Sequence, residues 1–471
     1  MKLSFKKLNL EYISLAVILL FGFFLRVWKL GLPSLWIDES TSAIASLNIL
    51  AKGLPIFDSG LLYSRAYLFH YLQAFFLLFG QTEFLARFVS VIFGLLIIFL
   101  AYKIGREYSK SGGLISALFM AVFYLEVFYS RQARFYQLFQ LMFFLSLYLL
   151  YKSKKNNWCL YASLISFFIT INTQIAGLVL APFFIIHILI YNKKWKKYLA
   201  ILPGISIIQK FLPAKGLSAD STSSAINYAS RYAGYTHNLL YMIILFVPGV
   251  IWGFFKKRRL TILMILPSII MLVGIFTLKT FALRYAYFAV FPLVLYSSLL
   301  ISFLYEKYGK IMLIVIVGLL VIPSNLFFPY TSVNILKPIN YNLYDSSAPT
   351  TDYKNVPMEL MSELKSNENI LISYFSSDVE WNIRKPDYVL PFSMDGRGED
   401  QISMELDSGE IVDRYSGSSM FSEVPIEKYY LIADSFSVSK LKPGQRDLLE
   451  DLVEGCEVVY SEVDLRIYEC G

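Results

Sequence analysis

Long apolar runs recur along the first 330 residues, near 12–30, 84–102, 112–129, 135–151, 158–173, 175–191, 198–212, 238–255, 260–278, 285–304 and 311–328. Each approaches the length a helix needs to cross hydrocarbon, so the pattern predicts about eleven transmembrane helices. Tyr67–Phe79 is also apolar, but it is short and interrupted by His70 and Gln73. It predicts an interfacial or re-entrant helix within a long first outer loop, 31–83. Beyond residue 335 the pattern changes. Strand-like runs fall at Asn369–Phe375, Asp387–Phe392, Lys428–Ala433, Glu457–Tyr460 and Leu465–Tyr468, with helix-like runs at Val356–Lys365 and Gln445–Leu452. Asp395-Gly396-Arg397-Gly398 and Ser416-Gly417-Ser418 read as turns between them. The expected architecture is a polytopic all-α membrane domain, 1–334, followed by a small soluble α/β domain, 335–471.

Charge orients this plan. Lys103/Arg106/Lys110, Lys152/Lys154/Lys155, Lys193/Lys194/Lys196/Lys197, Lys256/Lys257/Arg258/Arg259 and Lys307/Lys310 fall at alternate connections, on the same side as Lys2/Lys6/Lys7. The positive-inside rule makes that side cytoplasmic. Counting Tyr67–Phe79 as a span would invert every later cluster. With it kept interfacial, Asp38-Glu39, the Tyr129–Arg134 turn, the 213–237 loop, the Lys279–Arg284 turn and the C-terminal domain all face outward. The first span follows Lys2, Lys6 and Lys7 and lacks a small-residue cleavage site, so it reads as an uncleaved helix. Together these place the chain in the cell membrane as a multi-pass protein with an extracytoplasmic C-terminal domain.

Composition agrees: of 471 residues, 56% are hydrophobic. Residues 1–330 carry 31 Lys and Arg against 9 Asp and Glu, a balance of +22. Residues 331–471 carry 12 against 26, a balance of −14. Topology accounts for the basic excess, so no nucleic-acid partner is implied. Cys159 opens an apolar run and reads as a packing residue. Cys456 and Cys470 lie in the tail, where an oxidising compartment would permit a disulfide.

Nine carboxylates in 330 residues make the adjacent pair Asp38 and Glu39 conspicuous. An acid near a bilayer is costly and is usually kept for a task. Either residue could serve as a general base or, with Glu126, as a ligand for a divalent cation. The plain alternative is capping, because acids favour helix starts and Ser40–Leu50 has helical character. Glu126 sits in an apolar run, as a site residue or as a structural partner of Arg131 or Arg134. Arg131, Arg134 and Tyr136 form one outer turn, and Arg284-Tyr285 opens the tenth span. A guanidinium fork suits a lipid phosphate; snorkelling to headgroups is the bland alternative. His70 and Arg65 are further candidates because they share the loop that holds the acid pair.

Several ordered motifs resemble the GT-C superfamily of polytopic glycosyltransferases, in the branch of protein O-mannosyltransferases and the lipid A aminoarabinose transferase. They are Leu35-Trp36-Ile37-Asp38-Glu39, then Gly80-Gln81-Thr82-Glu83-Phe84-Leu85-Ala86-Arg87, then Ser130 to Tyr136, and Arg284-Tyr285 with Pro292 beyond. The resemblance implies a sugar donor linked to polyprenyl or dolichyl phosphate and inverting transfer on the outer face. Asp38 would be the catalytic base, with Arg131, Arg134 and Arg284-Tyr285 on the phosphate. The acceptor would be a protein, a glycolipid or a polysaccharide. Ser64-Arg65-Ala66 stands where many relatives carry a His-Pro-Pro-like element, and Gln132 where many carry an acid. No Trp-Trp-Asp motif occurs, which argues against en bloc N-glycan transfer. A lipid-sugar transporter or flippase and a non-catalytic scaffold are the competing readings; a scaffold has no need of Asp38.

Overall fold

The computed structural model describes residues 10–191, 240–276, 283–309, a few positions within 311–318, and 351–471 apart from 391–402, 422–427 and isolated positions. The expected spans at 198–212 and most of 311–328, the 213–237 loop, the Lys279–Arg284 turn before Leu283 and the boundary at 334/335 lie outside the described residues. The chain divides into two compact units. One comprises 1–30, 64–69 and 87–339; the other comprises 31–63, 70–86 and 340–471.

The first unit is helical. The helices that contribute to it are α1 (Leu10–Val27), α4 (Glu83–Arg106), α5 (Lys110–Val122), α6 (Tyr124–Ser130), α7 (Tyr136–Lys152), α8 (Asn157–Thr173), α9 (Ala181–Tyr191), α10 (Leu240–Phe276), α11 (Leu283–Ala286) and α12 (Val290–Tyr308). Among the described residues four helices are long and apolar enough to cross a membrane, or five if α5 and α6, bent by 60°, form one broken span. The runs expected at 135–151 and 158–173 are the 17-residue helices α7 and α8. The run at 175–191 is a 3₁₀ turn followed by α9. The runs at 238–255 and 260–278 are both in α10, which breaks at Lys257 (φ −144°, ψ 62°) within the basic cluster. Side-chain caps set several starts: Ser109 accepts from Gly112 N–H at 2.9 Å for α5, and Asn156 from Trp158 N–H at 3.0 Å for α8. Small residues allow close helix approach. A Cβ on Gly249 of α10 would lie 2.0 Å from the Tyr296 carbonyl of α12.

The second unit joins residues 31–63 and 70–86 to the C-terminal sheet. Its sheet has the order β3-β4-β5-β2-β1-β6-β8-β7, with β1 (Ile370–Ser373), β2 (Tyr388–Val389), β3 (Ser403–Glu405), β4 (Ile411–Asp413), β5 (Ser419–Met420), β6 (Tyr429–Asp434), β7 (Glu457–Glu462) and β8 (Leu465–Cys470). The central β5-β2-β1-β6 strands are parallel and the flanking pairs antiparallel. Alternation on β6 feeds two cores. Tyr429, Leu431 and Ala433 pack with Ile372, Leu449 and Leu452; Tyr430 and Ile432 pack with Leu364, Leu371 and Val379. Helices α13 (Met358–Lys365), α14 (Ser376–Asn382), α15 (Ser435–Lys440) and α16 (Pro443–Val453) complete the domain. A disulfide links Cys456 to Cys470, and Cys159 is free. From the loop come α2 (Ile37–Lys52) and α3 (Tyr67–Leu77), the helix expected at Tyr67–Phe79.

Candidate functional site

The candidate residues fall into two groups, one in each unit. In the loop-and-sheet unit, Asp38 and Glu39 occupy the first turn of α2, where acids meet the positive end of the helix. Their environments differ. Glu39 is fully buried, and its carboxylate accepts the Trp36 N–H at 3.3 Å, the reaching-back half of a capping box. Asp38 is partly exposed. Capping thus describes Glu39, the more deeply buried of the two acids.

Small buried residues along α2, Ser40, Thr41, Ser42, Ala43, Ala45 and Ser46, let neighbouring elements come close. Ser46 Oγ donates to Gln73 Oε1 at 2.7 Å and lies 3.3 Å from His70 Nδ1. The two polar residues that interrupt the apolar Tyr67–Phe79 run therefore face α2. His70 also meets the Tyr63 ring edge-on at 5.0 Å, Tyr63 meets Phe57 at 5.7 Å, and Phe57 meets Tyr415 at 5.2 Å. Burial pushes the Tyr415 phenol up to about 12, with smaller contributions from Tyr63 and Asp38. Tyr415, at the end of this aromatic row, was signalled by no motif. Arg65 is exposed. Ala66 beside it is fully buried at φ +52°, a left-handed conformation unusual for alanine. The backbone N–H groups of Ala66 and Tyr67 both donate to Asn172, at 3.1 and 3.2 Å.

In the helical unit, Glu126 is fully buried just after the α5–α6 break. Its carboxylate accepts Tyr287 O–H at 2.6 Å and Gln140 Nε2 at 2.9 Å, with Gln137 Nε2 at 3.5 Å. Of the two readings of Glu126, the structural one would have paired it with Arg131 or Arg134; its partners are instead this tyrosine–glutamine cradle, because the break turns Glu126 toward α7 and Tyr287. Tyr287, Gln137 and Gln140 were not singled out in the sequence, where glutamines in apolar runs were the available signal.

Arg131 donates through Nη1 to the carbonyls of Leu25, Arg26 and Trp28 at 3.2, 3.3 and 2.6 Å. Arg134 is largely buried, its guanidinium 4.8 Å from the Phe135 ring and 5.6 Å from the Tyr136 ring. Tyr136 meets Tyr129 edge-on at 5.6 Å. Arg284, in α11, is half-buried and lies 5.6 Å from the Tyr285 ring. Among the described residues no three His, Cys, Asp or Glu side chains gather as a metal site.

Residues 64–213 match the family model described as dolichyl-phosphate-mannose-protein mannosyltransferase. No curated protein matches the chain. Solved structures do. Apo ArnT from Cupriavidus metallidurans aligns over 97% of both chains with a TM-score of 0.62 at 11% identity. The same protein bound to undecaprenyl phosphate aligns over 97% of both with a TM-score of 0.59 at 12% identity. The chain shares the fold of these structures. The Archaeoglobus fulgidus oligosaccharyltransferase in complex with zinc and sulfate is similar in fold at a TM-score of 0.52 and 13% identity. That match covers 79% of this chain, which spans 62% of the oligosaccharyltransferase's length.

Proposed function

We propose that this protein transfers a sugar from a polyprenyl- or dolichyl-phosphate-linked donor to an acceptor at the outer membrane face, with inversion. The observation that carries the reading is Asp38: a partly exposed acid in the first turn of α2, beside a fully buried capping glutamate. The match of residues 64–213 to the mannosyltransferase model and the fold shared with an undecaprenyl-phosphate-bound protein support the donor class.

In this mechanism Asp38 takes the proton from an acceptor hydroxyl as its oxygen attacks the anomeric carbon. The bond from that carbon to the phosphate oxygen breaks on the opposite side, and the lipid phosphate leaves with the electron pair. Charge grows on the phosphate as the bond breaks, so cations placed there stabilise the transition state. Arg134 and Arg284 with Tyr285 are assigned that task. Arg131 belongs to the same turn, and its bonds to the end of α1 hold the turn in place. The disulfide supports an oxidising, extracytoplasmic setting for the C-terminal domain.

The test is transfer of radiolabelled sugar from a polyprenyl-phosphate donor in purified membranes, comparing the native chain with Asp38→Asn. Loss of transfer with retained folding and donor binding is the expected result. Equal activity would remove Asp38 from the mechanism. A transporter reading draws on Glu126, a buried acid beside a span bent by 60°, since broken helices form transport sites. Donor movement across vesicle membranes without sugar transfer would favour it.

A further inference from the structure

The loop that carries Asp38 and the C-terminal sheet belong to one compact unit, and their contacts are polar and specific. Ser40, two residues after Asp38, donates from Oγ to Asp378 Oδ1 at 3.0 Å, across a separation of 338 residues. Ser40 is fully buried and Asp378 is 3% exposed. Asp378 lies in the first turn of α14, and α14 packs directly on α2.

The same short helix anchors a second clasp. Ser376, its first residue, donates to Asp413 Oδ1 at 2.6 Å. That oxygen also accepts the N–H groups of Tyr415 and Ser416, at 3.1 and 2.7 Å, which fixes the 413–417 turn. The turn lies against the loop: Ser59 Oγ donates to the Arg414 carbonyl at 2.5 Å. A Cβ on Gly417, at φ +69°, would lie 2.8 Å from Ser59 N. Only glycine allows both that backbone conformation and that approach.

A carboxyl at position 378 is expensive. Burial pushes it well above the usual carboxylate range, and Asp434 and Glu39 add repulsion. Packing alone would be better served by an apolar residue. What the carboxyl supplies is an acceptor shared between Thr351 and the first turn of α2. We propose that Asp378 is a positioning residue for Asp38, holding the turn that carries it through Ser40, so that the C-terminal domain is a working part of the active site. This rests on the transferase reading above for its catalytic consequence; the clasp itself does not.

The experiment uses the full chain in detergent or nanodiscs, with Asp378→Ala, Ser40→Ala, the double variant and Asp378→Asn. Asparagine keeps an acceptor oxygen and should rescue. Hydrogen exchange of peptides spanning residues 37–46 should rise about tenfold or more in both alanine variants, no further in the double variant, and little in Asp378→Asn. Sugar transfer should lose about tenfold to a hundredfold in kcat, with the donor KM within about twofold, as expected of a misplaced catalytic group. Should Asp378→Ala not fold, Ser40→Ala carries the same test. Unchanged exchange at 37–46, or wild-type kcat per folded molecule, would overturn the proposal. If the native chain transfers no sugar but exchange responds as described, the clasp on the Asp38 turn stands and the transferase reading falls.

Discussion

Arg26 and Arg131 close helix ends reciprocally. Arg26, on α1, donates through Nη1 to Ala121 O at 2.9 Å and through Nη2 to Met120 O at 3.3 Å, at the last turn of α5. Arg131, just after α6, returns donors to the carbonyls that end α1. Carbonyls in the last turn of a helix have no intrahelical partner and carry partial negative charge. Away from water they need a donor, and a guanidinium supplies several at fixed angles. The two arginines thus make the α5–α6 break and the end of α1 a single joint.

This separates Arg131 from the other arginines. Arg131→Ala should lower the thermal midpoint in detergent, since a buried acceptor stripped of its donor costs about 1–3 kcal/mol. Arg284→Ala, at a half-buried position, should leave the midpoint nearly unchanged and raise the donor KM. Thermal unfolding and donor titration on both variants check this. A stable Arg131→Ala with only a raised KM would return Arg131 to direct phosphate contact.

The acid pair should also split. Asp38→Asn should lose about 10²- to 10⁴-fold in transfer, the range for a general base. Glu39→Gln keeps an oxygen for the Trp36 N–H, and glutamine serves in capping boxes, so its rate should stay within a few-fold. Glu39→Ala should cost about 1 kcal/mol of stability, as cap losses do. The ratio of kcat to melting shift across the three variants is the measurement. A Glu39→Gln as inactive as Asp38→Asn would make Glu39 a chemical partner.

The positions of these acids were legible in the sequence because carboxylates are so scarce before residue 330. Which acid is buried was not, since both stand in the same first turn and burial depends on what packs against α2. The five strand-like runs of the tail all appear, and the helix-like runs appear as α13 and α16, because their alternation and periodicity reflect two apolar cores. The short strands β3, β4 and β5 and the helices α14 and α15 were missed. They are two to seven residues long, too brief for periodicity, and are held by tertiary bonds such as Ser376 to Asp413. The Ser40–Asp378 bond joins residues 338 apart, and no local pattern encodes such a pair. Glu126 stood out as an acid in an apolar run, but its partners lie on α7 and at Tyr287.

The cradle around Glu126 gives a further expectation. Tyr287→Phe removes one hydroxyl and leaves the ring, which lies 4.1 Å from that of Tyr129. Oε2 of the carboxylate then loses its shortest bond, at 2.6 Å. The loss should be about 1–3 kcal/mol in unfolding, with the Gln140 contact retained. Glu126→Gln combined with Tyr287→Phe should cost less than the sum of the single changes, since both act on one contact. Full additivity in a double-mutant cycle would show that the two residues stabilise the helices independently.

Stability against pH should carry the mark of Glu380, in α14. Burial, reinforced by Asp58, pushes its carboxyl up to about 7 from an ordinary 4.5. The folded protein therefore holds this proton where the unfolded chain has released it. The contribution is complete below about pH 4.5, falls as pH rises toward 7, and is gone above that. Asp58 acts in the opposite sense: its hydrogen bond to Lys52 holds it below 3.8, so its contribution is lost only as pH falls through that lower range. The windows do not overlap, which lets one substitution isolate one group. Glu380→Gln does not titrate. Its melting temperature should run parallel to the native chain's below pH 4.5, then gain on it up to pH 7 and hold the advantage above. Parallel curves across the whole range would show that Glu380 titrates as an ordinary surface carboxyl.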